Sequence, residues 1–275
     1  MSQTFDTLYY LPESEYGELI ETLRVFTTLL LFEFARSPTG VRDTIIRNFI
    51  ARGATTLDSI SRLWPEHRYG DCWALHRTLV DRLFHLHALA ERDEFELFDD
   101  WSFVKQFEAR NRALSDEEFG PRLNRPAADP TEKQRSRYKS LKAKNPLWSR
   151  PKPEDAARSL DLAFLYTFAY DFASTHVHPM ANDGEQEFLA MTGLDPGEAL
   201  LDNRVVLHNS VLVHTVLLQH ALNSSTFRWR SLIYDFVDAA RRALTGDLQT
   251  YRLVFVKIGH AGPEVIWSER SSPDA

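Results

Sequence analysis

The stretch Trp73-Ala-Leu-His-Arg-Thr-Leu-Val-Asp-Arg-Leu-Phe-His-Leu-His-Ala-Leu89 combines the pattern of a core helix with polar side chains at helical spacing. Its large apolar residues indicate that most of this helix is buried: Trp73, Leu79, Val80, Leu83, Phe84 and Leu86. Arg77, Asp81 and His85 nevertheless recur at every fourth position. Because four residues advance an α-helix by about 400°, these three form one polar stripe about 12 Å long.

A second stripe of the same spacing lies further along the chain. Tyr170, Ser174 and His178 recur at every fourth position in a predicted helix over 160–178 that Pro179 stops. If the two stripes face each other, the protein has a polar seam inside a helical bundle. Such a seam is unfavourable unless each polar group has a partner, so it is the first place to look for a functional site.

The rest of the chain predicts a mainly α-helical protein, a bundle of six to nine helices that forms one domain over residues 1–275. A helix over 41–52 is expected to end at Gly53 in a left-handed cap, and another is expected to run without a break from Pro153 to His178. The C-terminal tail from Tyr251 to Trp267 fits either a short β-hairpin or a helix end followed by coil.

Composition limits the classes of protein that this chain can belong to. The 275 residues are 43% hydrophobic and 26% charged, as in an ordinary globular protein. A single cysteine, Cys72, excludes an internal disulfide and a multi-cysteine zinc site. The first residues lack a secretory pattern, and the apolar run Val25–Phe32 is shorter than the roughly 20 residues of a membrane span. We expect a cytoplasmic, bacterial protein with no membrane partner.

Positive charge is concentrated in one part of the chain. The segment 121–152 carries ten Lys or Arg against two acidic residues, a charge of +8, which leaves −15 for the rest of a chain of net charge −7. We interpret 120–153, which contains six prolines, as a basic excursion with one short helix near Glu132–Lys144. It is a solvated loop, or it binds the acidic remainder of the protein or a partner chain. Alternatively, it contacts RNA phosphates while Tyr138 or Trp148 stacks on a base.

Both stripes have a functional and a structural interpretation. His178 lies at a helix end, where a cation is favoured, so it is a candidate general acid or phosphate ligand; alternatively it caps its own helix. Arg77 can bind an anion with Asp81 as its orienting group; alternatively the pair only holds two helices in register. Tyr170 and Ser174 can orient a bound group or bond to the backbone.

No metal or cofactor is expected. The pairs His85-x-His87 and His176-x-His178 place their side chains on roughly opposite faces of a helix, which does not suit chelation. Phosphate-loop, dinucleotide-fold and nucleophile-elbow signatures are absent from the sequence.

Residues 40 to 220 resemble a bacterial family of helical proteins of unknown function. The resemblance rests on the run from Leu75 to Leu86, on Trp148 before a loop, and on the motif Tyr170-x3-Ser-x3-His-Pro. Members pair an Arg-x3-Glu helix with such a helix end, and Asp81 here stands in place of Glu. The resemblance implies that Arg77, Asp81, Tyr170, Ser174 and His178 belong to one site.

The layout is also similar, more distantly, to HEPN domains. In those helical bundles a paired arginine and histidine act on RNA without metal, commonly across a homodimer. Ser174 stands where the motif arginine would be expected, so Arg77 would have to replace it.

Two functions from different classes follow. The first is HEPN-like RNA binding or metal-independent RNA cleavage, with His178 as general acid or base, Arg77 holding phosphate and the other three residues orienting. The second is a non-catalytic scaffold that binds a protein partner; a small-molecule sensor that uses the seam as its pocket is a further alternative.

Overall fold

Long amphipathic helices make up most of the chain that the structure describes. The structure is a computed structural model, and it describes residues 11–36, 40–123, 129–178, 180–181, 184–194, 205–225 and 230–256. The α-helices are α1 (Glu13–Arg36), α2 (Val41–Leu63), α3 (Tyr69–Arg92), α4 (Phe95–Ser115), α5 (Glu132–Lys144), α6 (Pro153–Ser159), α7 (Glu185–Thr192), α8 (Val205–Ser224), α9 (Arg230–Ala243) and a last helix, α10, over 248–256. Short 3-10 turns cover Trp64–Glu66 and Gly120–Arg122. A π-helical stretch covers Leu165–Asp171, and one α-helical turn, Phe172–Ser174, follows it. No strand occurs in these ranges, so the prediction of a mainly α-helical bundle is confirmed.

Three helices, α2, α3 and α8, pack against one another at the centre of the bundle. On the outside, α1 packs on α2 and α9 packs on α8. The largest side chains buried between them include Trp73 of α3 and the stacked pair Phe26 and Phe236, whose ring centroids are 4.1 Å apart. Burial of these apolar surfaces, rather than helix propensity, supplies most of the stability of such helices.

The prediction that a helix ends at Gly53 is wrong. Helix α2 runs through Gly53, which is buried against α8. A Cβ atom at this position would lie 2.7 Å from Cδ2 of Leu217, closer than van der Waals contact permits. The glycine therefore lets two helices approach each other closely and does not cap either of them.

The predicted uninterrupted helix over 153–178 is also wrong. Helix α6 ends at Ser159, and Asp161 follows in the left-handed conformation, with φ of 56°. The N–H of Leu162 bonds to the carbonyl of Ala157 and that of Asp161 to the carbonyl of Arg158, which is the Schellman pattern of a helix end. The chain then resumes as the π-helical stretch, in which Phe172 N–H reaches the carbonyl of Thr167.

The short helix predicted in the basic excursion is present as α5. Thr131 and Gln134 form a capping box at its start. Arg137 pairs with Asp99 and Asp100 of α4, at 2.6 and 3.0 Å, and Lys142 approaches Glu108 of α4 at 3.8 Å. Part of the basic segment thus binds the acidic surface of its own chain, in agreement with the second of the three interpretations.

The C-terminal tail is helical over 248–256, so this part does not form the first strand of a hairpin. Arg252 fastens α10 to α1 through ion pairs with Glu15 and Glu18, both at 2.6 Å. The rest of the proposed hairpin, 257–267, lies outside the described residues.

One described helix, α8, is long and apolar enough to cross a membrane by length and composition alone. Its mean hydropathy reaches 1.3 over an 18-residue window, and 67% of that window is buried inside the bundle, as for the core helix of a soluble protein. The sequence analysis took Val25–Phe32 as the most apolar run of the chain and did not single out α8.

Candidate functional site

Two antiparallel segments bring the polar stripes together. The first is α3, and the second, here called the Tyr170 segment, comprises residues 165–178. Tyr170 packs beside Phe84 of α3, whereas His176 stacks on Trp73, with ring centroids 5.9 and 6.1 Å apart respectively. Residues that come later in the Tyr170 segment therefore lie beside earlier residues of α3.

Arg77 connects the two segments through hydrogen bonds. Its Nη1 forms an ion pair with Asp81 one turn along α3, and its Nε–H donates to Ser174 Oγ at 3.0 Å. The Ser174 hydroxyl in turn donates to the carbonyl oxygen of Tyr170 at 2.7 Å. Each contact fixes one edge of a planar guanidinium, so the side chain is held in one orientation.

The Tyr170 ring packs against the flat face of the same guanidinium. The Arg77 Cζ atom lies 3.3 Å from the ring centroid, within the range of a cation–π interaction. Burial raises the pKa of the Tyr170 phenol, and the positive charge of Arg77 acts in the opposite direction. Arg77, Asp81, Tyr170 and Ser174, called the Arg77 cluster below, thus form one connected unit.

The Arg77 cluster is open to solvent on one side. The Arg77 side chain is 16% exposed and that of Asp81 is 40% exposed. The described hydrogen bonds and ion pair of Arg77 use Nε and Nη1. The Arg77 guanidinium and the Asp81 carboxylate therefore both remain partly accessible to solvent.

His178 stands apart from the cluster. Its side chain is exposed, and its backbone N–H bonds to the carbonyl of Ser174 at 3.2 Å, one turn back. Because the segments are antiparallel, this turn leads away from Asp81 and towards the start of α3. Of the five residues predicted to share a site, four contact one another, and the role of His178 stays a prediction.

An open groove of about 220 Å³ adjoins the cluster on the Asp81 side. It is lined by Phe49, Thr78, Asp81, Arg82 and His85 and is called the Arg82 groove below. Except for Asp81, none of these residues was among the predicted site residues. The spacing of the first stripe did contain a signal for His85, which follows Asp81 by one helical turn.

His85 is held by its own helix and is mostly buried. One ring nitrogen, Nδ1, lies 2.7 Å from the carbonyl oxygen of Asp81, so Nδ1 carries the proton and Nε2 is the acceptor. Burial lowers the pKa of His85; the charges of Arg150 and Arg77 lower it further, whereas Asp81 raises it. The imidazole is therefore neutral near pH 7.

Arg82 is the basic residue among the five that line the Arg82 groove. Arg82 donates to the Thr56 hydroxyl at 3.3 Å and to the Thr78 carbonyl at 2.9 Å. Burial lowers the pKa of Arg82, and the neighbouring charge of Arg52 contributes to this. Arg77 and Arg150 are likewise close enough to His85 to lower its pKa, whereas the Asp81 carboxylate in the lining raises it. Positive charge near the groove thus comes from four arginines, and Asp81 opposes it.

The aromatic side chains proposed to stack on bases are already packed. Trp148 is only 6% exposed, and its ring centroid lies 4.7 Å from that of Phe98 and 4.9 Å from that of Trp101. Tyr138 stacks on Phe107 at 4.2 Å, and the Lys142 ammonium lies over its ring at 5.3 Å. Trp148 is therefore too deeply packed to stack on a base in this structure, and stacking of the half-buried Tyr138 on a base stays a prediction.

Within the described ranges, no group of three or more His, Cys, Asp or Glu side chains is arranged to hold a metal ion. The chain is thus a helical-bundle protein with an arginine-centred polar cluster beside a basic groove.

Residues 43–192, more than half of the chain, match a family of unknown function, DUF5677. The chain belongs to this family, and the matched region contains the whole Arg77 cluster and the Arg82 groove. No curated protein and no solved structure matches the chain. The expectation of a helical family of unknown function is confirmed at this level.

Proposed function

We propose that the protein binds RNA and that the Arg82 groove, together with the Arg77 cluster, holds phosphates of the RNA strand. The observation that carries the proposal is that Arg82 lines an open groove whose residues also lie within electrostatic range of Arg52, Arg77 and Arg150, in a chain whose net charge is −7. Such a local excess of positive charge attracts a polyanion although the whole protein is acidic.

The Arg77 cluster contributes a fixed donor rather than a flexible charge. Asp81, Ser174 and Tyr170 hold the guanidinium before any ligand arrives, so binding loses less side-chain entropy than it would with an exposed arginine. Asp81 also sets a limit on affinity, because its carboxylate repels a phosphate that approaches Arg77.

Metal-independent cleavage, in the manner of HEPN domains, is the activity that we propose for this site. A histidine would take the proton from a ribose 2′-hydroxyl while Arg77 neutralises the phosphate. The 2′-oxygen then bonds to phosphorus as the P–O5′ bond breaks, which leaves a 2′,3′-cyclic phosphate, and the protonated histidine gives its proton to the departing 5′-oxygen. His178 is exposed one turn beyond Ser174 and can accept such a proton if the strand extends past Arg77. His85 lies in the groove itself, and its neutral imidazole offers Nε2 as a base.

End-labelled mixed-sequence RNA incubated in EDTA tests this proposal. The wild type is expected to retain and slowly cleave the RNA. Loss of cleavage with retained binding in His178→Ala assigns the base to His178, and the same result in His85→Ala assigns it to His85. His67→Ala removes another exposed histidine and serves as the matched control. Failure of the wild type to retain RNA at low salt would contradict the proposal.

A scaffold is the second candidate, and the in-chain contacts of Arg77 favour it. An arginine that pairs with Asp81 and Ser174 and packs on Tyr170 can serve only to hold α3 against the Tyr170 segment. In that case Arg77→Met lowers the melting temperature by several degrees, and the wild type itself does not bind RNA. Because Arg77 holds α3 against the Tyr170 segment in either case, retention of RNA by the wild type is the measurement that separates the two functions.

A further inference from the structure

Helix α5 carries basic residues on two sides, and the side that faces α4 is already neutralised. Tyr138 stacks on Phe107 of α4 at 4.2 Å, and Leu141 is buried, so these two residues mark the packed side of the helix. Arg137 and Lys142 lie on the same side, where acidic residues of α4 pair with them. The positive charge of this side is therefore used within the protein.

The side of α5 that faces away from α4 carries an exposed polar stripe. Four residues spaced three, four and four positions apart lie along this face: Lys133, Ser136, Ser140 and Lys144. Lys139 lies beside Ser136, one turn further along. All five residues are exposed, and none of their side chains has a hydrogen bond or an ion pair among the described residues. We call these five residues the outer stripe.

The composition of the outer stripe suits a polyanion. An α-helix rises 1.5 Å per residue, so Lys133 and Lys144 lie about 16 Å apart along the axis. The two serine hydroxyls between them can each donate a hydrogen bond to a phosphate oxygen. Within α5 the only acidic residue is Glu132. Because the stripe has no apolar side chain, it offers nothing to bury in a lipid bilayer, whereas its lysines attract a nucleic-acid backbone.

The C-terminal end of α5 points towards the Arg82 groove. Near the start of α5, Gln134 accepts a hydrogen bond from Arg110, late in α4, at 3.4 Å. Beyond the end of α5, Trp148 packs on Phe98, early in α4, and its ring centroid lies 5.6 Å from that of His85 in the groove. Helices α4 and α5 therefore run antiparallel, and the chain that leaves α5 leads to the groove.

The distance between the outer stripe and the groove is short. The four residue steps from Lys144 to Trp148 span at most about 14 Å when fully extended. Arg150 follows two residues later, is exposed, and acts electrostatically on His85. The outer stripe, Arg150 and the Arg82 groove are thus close enough together to bind one continuous strand.

We propose that the outer stripe is a second phosphate-binding surface, which holds the part of an RNA strand that extends beyond the Arg82 groove. This inference rests on the proposed function, because phosphates bound in the groove position the strand over α5. A strand too short to reach α5 is bound by the groove alone, and a longer strand is bound by both surfaces. The preferred substrate is therefore an extended RNA strand rather than a nucleotide or a dinucleotide.

The salt dependence of affinity for two oligouridines of different length tests this inference. Lengths of about four and about sixteen nucleotides cover the range of site sizes of single-strand-binding folds. Fluorescence anisotropy of each RNA with the full chain gives the slope of log affinity against log salt. The slope is expected to be steeper for the long RNA by about 2, because each of the three lysines that neutralises a phosphate contributes about 0.7.

Replacing the three lysines of the outer stripe together should remove this difference. The variant combines Lys133→Gln, Lys139→Gln and Lys144→Gln, which removes only exposed side chains and should keep the slope for the short RNA. The matched control changes the net charge by the same amount. It replaces with glutamine three exposed arginines that pair with an acidic residue on their own helices: Arg24, Arg62 and Arg242. The control should keep the steeper slope for the long RNA.

The outcomes distinguish this inference from the proposed function. If the wild type binds neither RNA, the proposed function fails, and the inference fails with it. If the short RNA binds but the long RNA has the same slope, the inference alone is overturned. A steeper slope that persists in the lysine variant, or that is lost equally in the arginine control, would also overturn the inference and leave the Arg82 groove as the binding site.

Discussion

The Nε–H of Arg77 donates to Ser174 Oγ at 3.0 Å, which joins two segments 97 residues apart in the chain. This bond is the point where the two polar stripes meet. Turns precede and follow the helical part of the Tyr170 segment. The bond from Arg77 helps to fix the position of this segment on α3.

Replacing Ser174 with alanine should weaken this junction. Loss of the hydroxyl removes an acceptor from a charged donor, and we expect a decrease of roughly 1–2 kcal/mol in the free energy of unfolding, measured by urea denaturation. Thr175→Ala is the matched control, because the Thr175 hydroxyl is exposed and bonds only to the carbonyl of Phe172 among the described residues. A Ser174→Ala variant as stable as the control would show that the bond contributes nothing.

Replacing Asp81 with asparagine should have opposite effects on stability and on RNA binding. The carboxylate is 40% exposed, so loss of its ion pair with Arg77 should cost less than about 1 kcal/mol. Removing the negative charge beside the Arg82 groove should strengthen RNA binding several-fold at low salt, as measured by fluorescence anisotropy. Asp71→Asn is the matched control, because Asp71 also lies on α3 and forms an exposed ion pair with Arg68. This variant should leave RNA affinity nearly unchanged.

Stability should decrease in acid because buried histidines resist protonation. Burial lowers the pKa of His76 to about 3 and that of His214 to about 4, against 6.5 for an unperturbed imidazole. The unfolded chain therefore binds protons below pH 6.5 that the folded chain does not bind. Stability is complete above this pH, and each histidine removes about 1.4 kcal/mol per pH unit as the pH falls towards its folded pKa.

Denaturant titrations between pH 7 and pH 4.5 measure how the free energy of unfolding depends on pH. A stability that is constant between pH 7 and pH 5 would contradict the buried, neutral state of both histidines.

Replacing Gly53 with alanine should destabilise the central helix pair. Although alanine favours helix, its Cβ would lie 2.7 Å from Cδ2 of Leu217, and we expect a net loss of about 1–3 kcal/mol from the displaced side chain. Gly17→Ala, in the open part of α1, should instead gain about 0.5–1 kcal/mol. Thermal unfolding measures the change in stability for each variant. A loss at Gly53 and a gain at Gly17 would support this helix packing, and a gain at both positions would contradict it.

Helical spacing encodes the contacts among four of the five predicted site residues. Arg77 and Asp81 are one turn apart on a helix that is otherwise apolar, and Tyr170 and Ser174 repeat that spacing. A buried polar residue needs a partner, which favours two facing stripes. The sequence left that facing as a condition, and only the family resemblance implied one shared site.

Other features depend on tertiary contacts that spacing does not encode. Gly53 looks like a helix end until Leu217 is placed against it. Asp161 ends α6 in a conformation that glycine usually adopts, so the break before Tyr170 carried no sequence signal. The antiparallel packing then directs His178 away from Asp81, and the Arg82 groove combines Phe49 of α2 with residues of α3.

The salt dependence of RNA affinity in two arginine variants of α2 tests the central claim most directly. Arg52 acts electrostatically on Arg82 at the groove, whereas Arg62 lies ten residues further along the same helix and pairs with Asp58. With a single-stranded RNA, removing one arginine that neutralises a phosphate should reduce the slope of log affinity against log salt by about 0.7. We predict this reduction for Arg52→Ala and none for Arg62→Ala; equal slopes in both variants and the wild type would contradict a phosphate-binding groove.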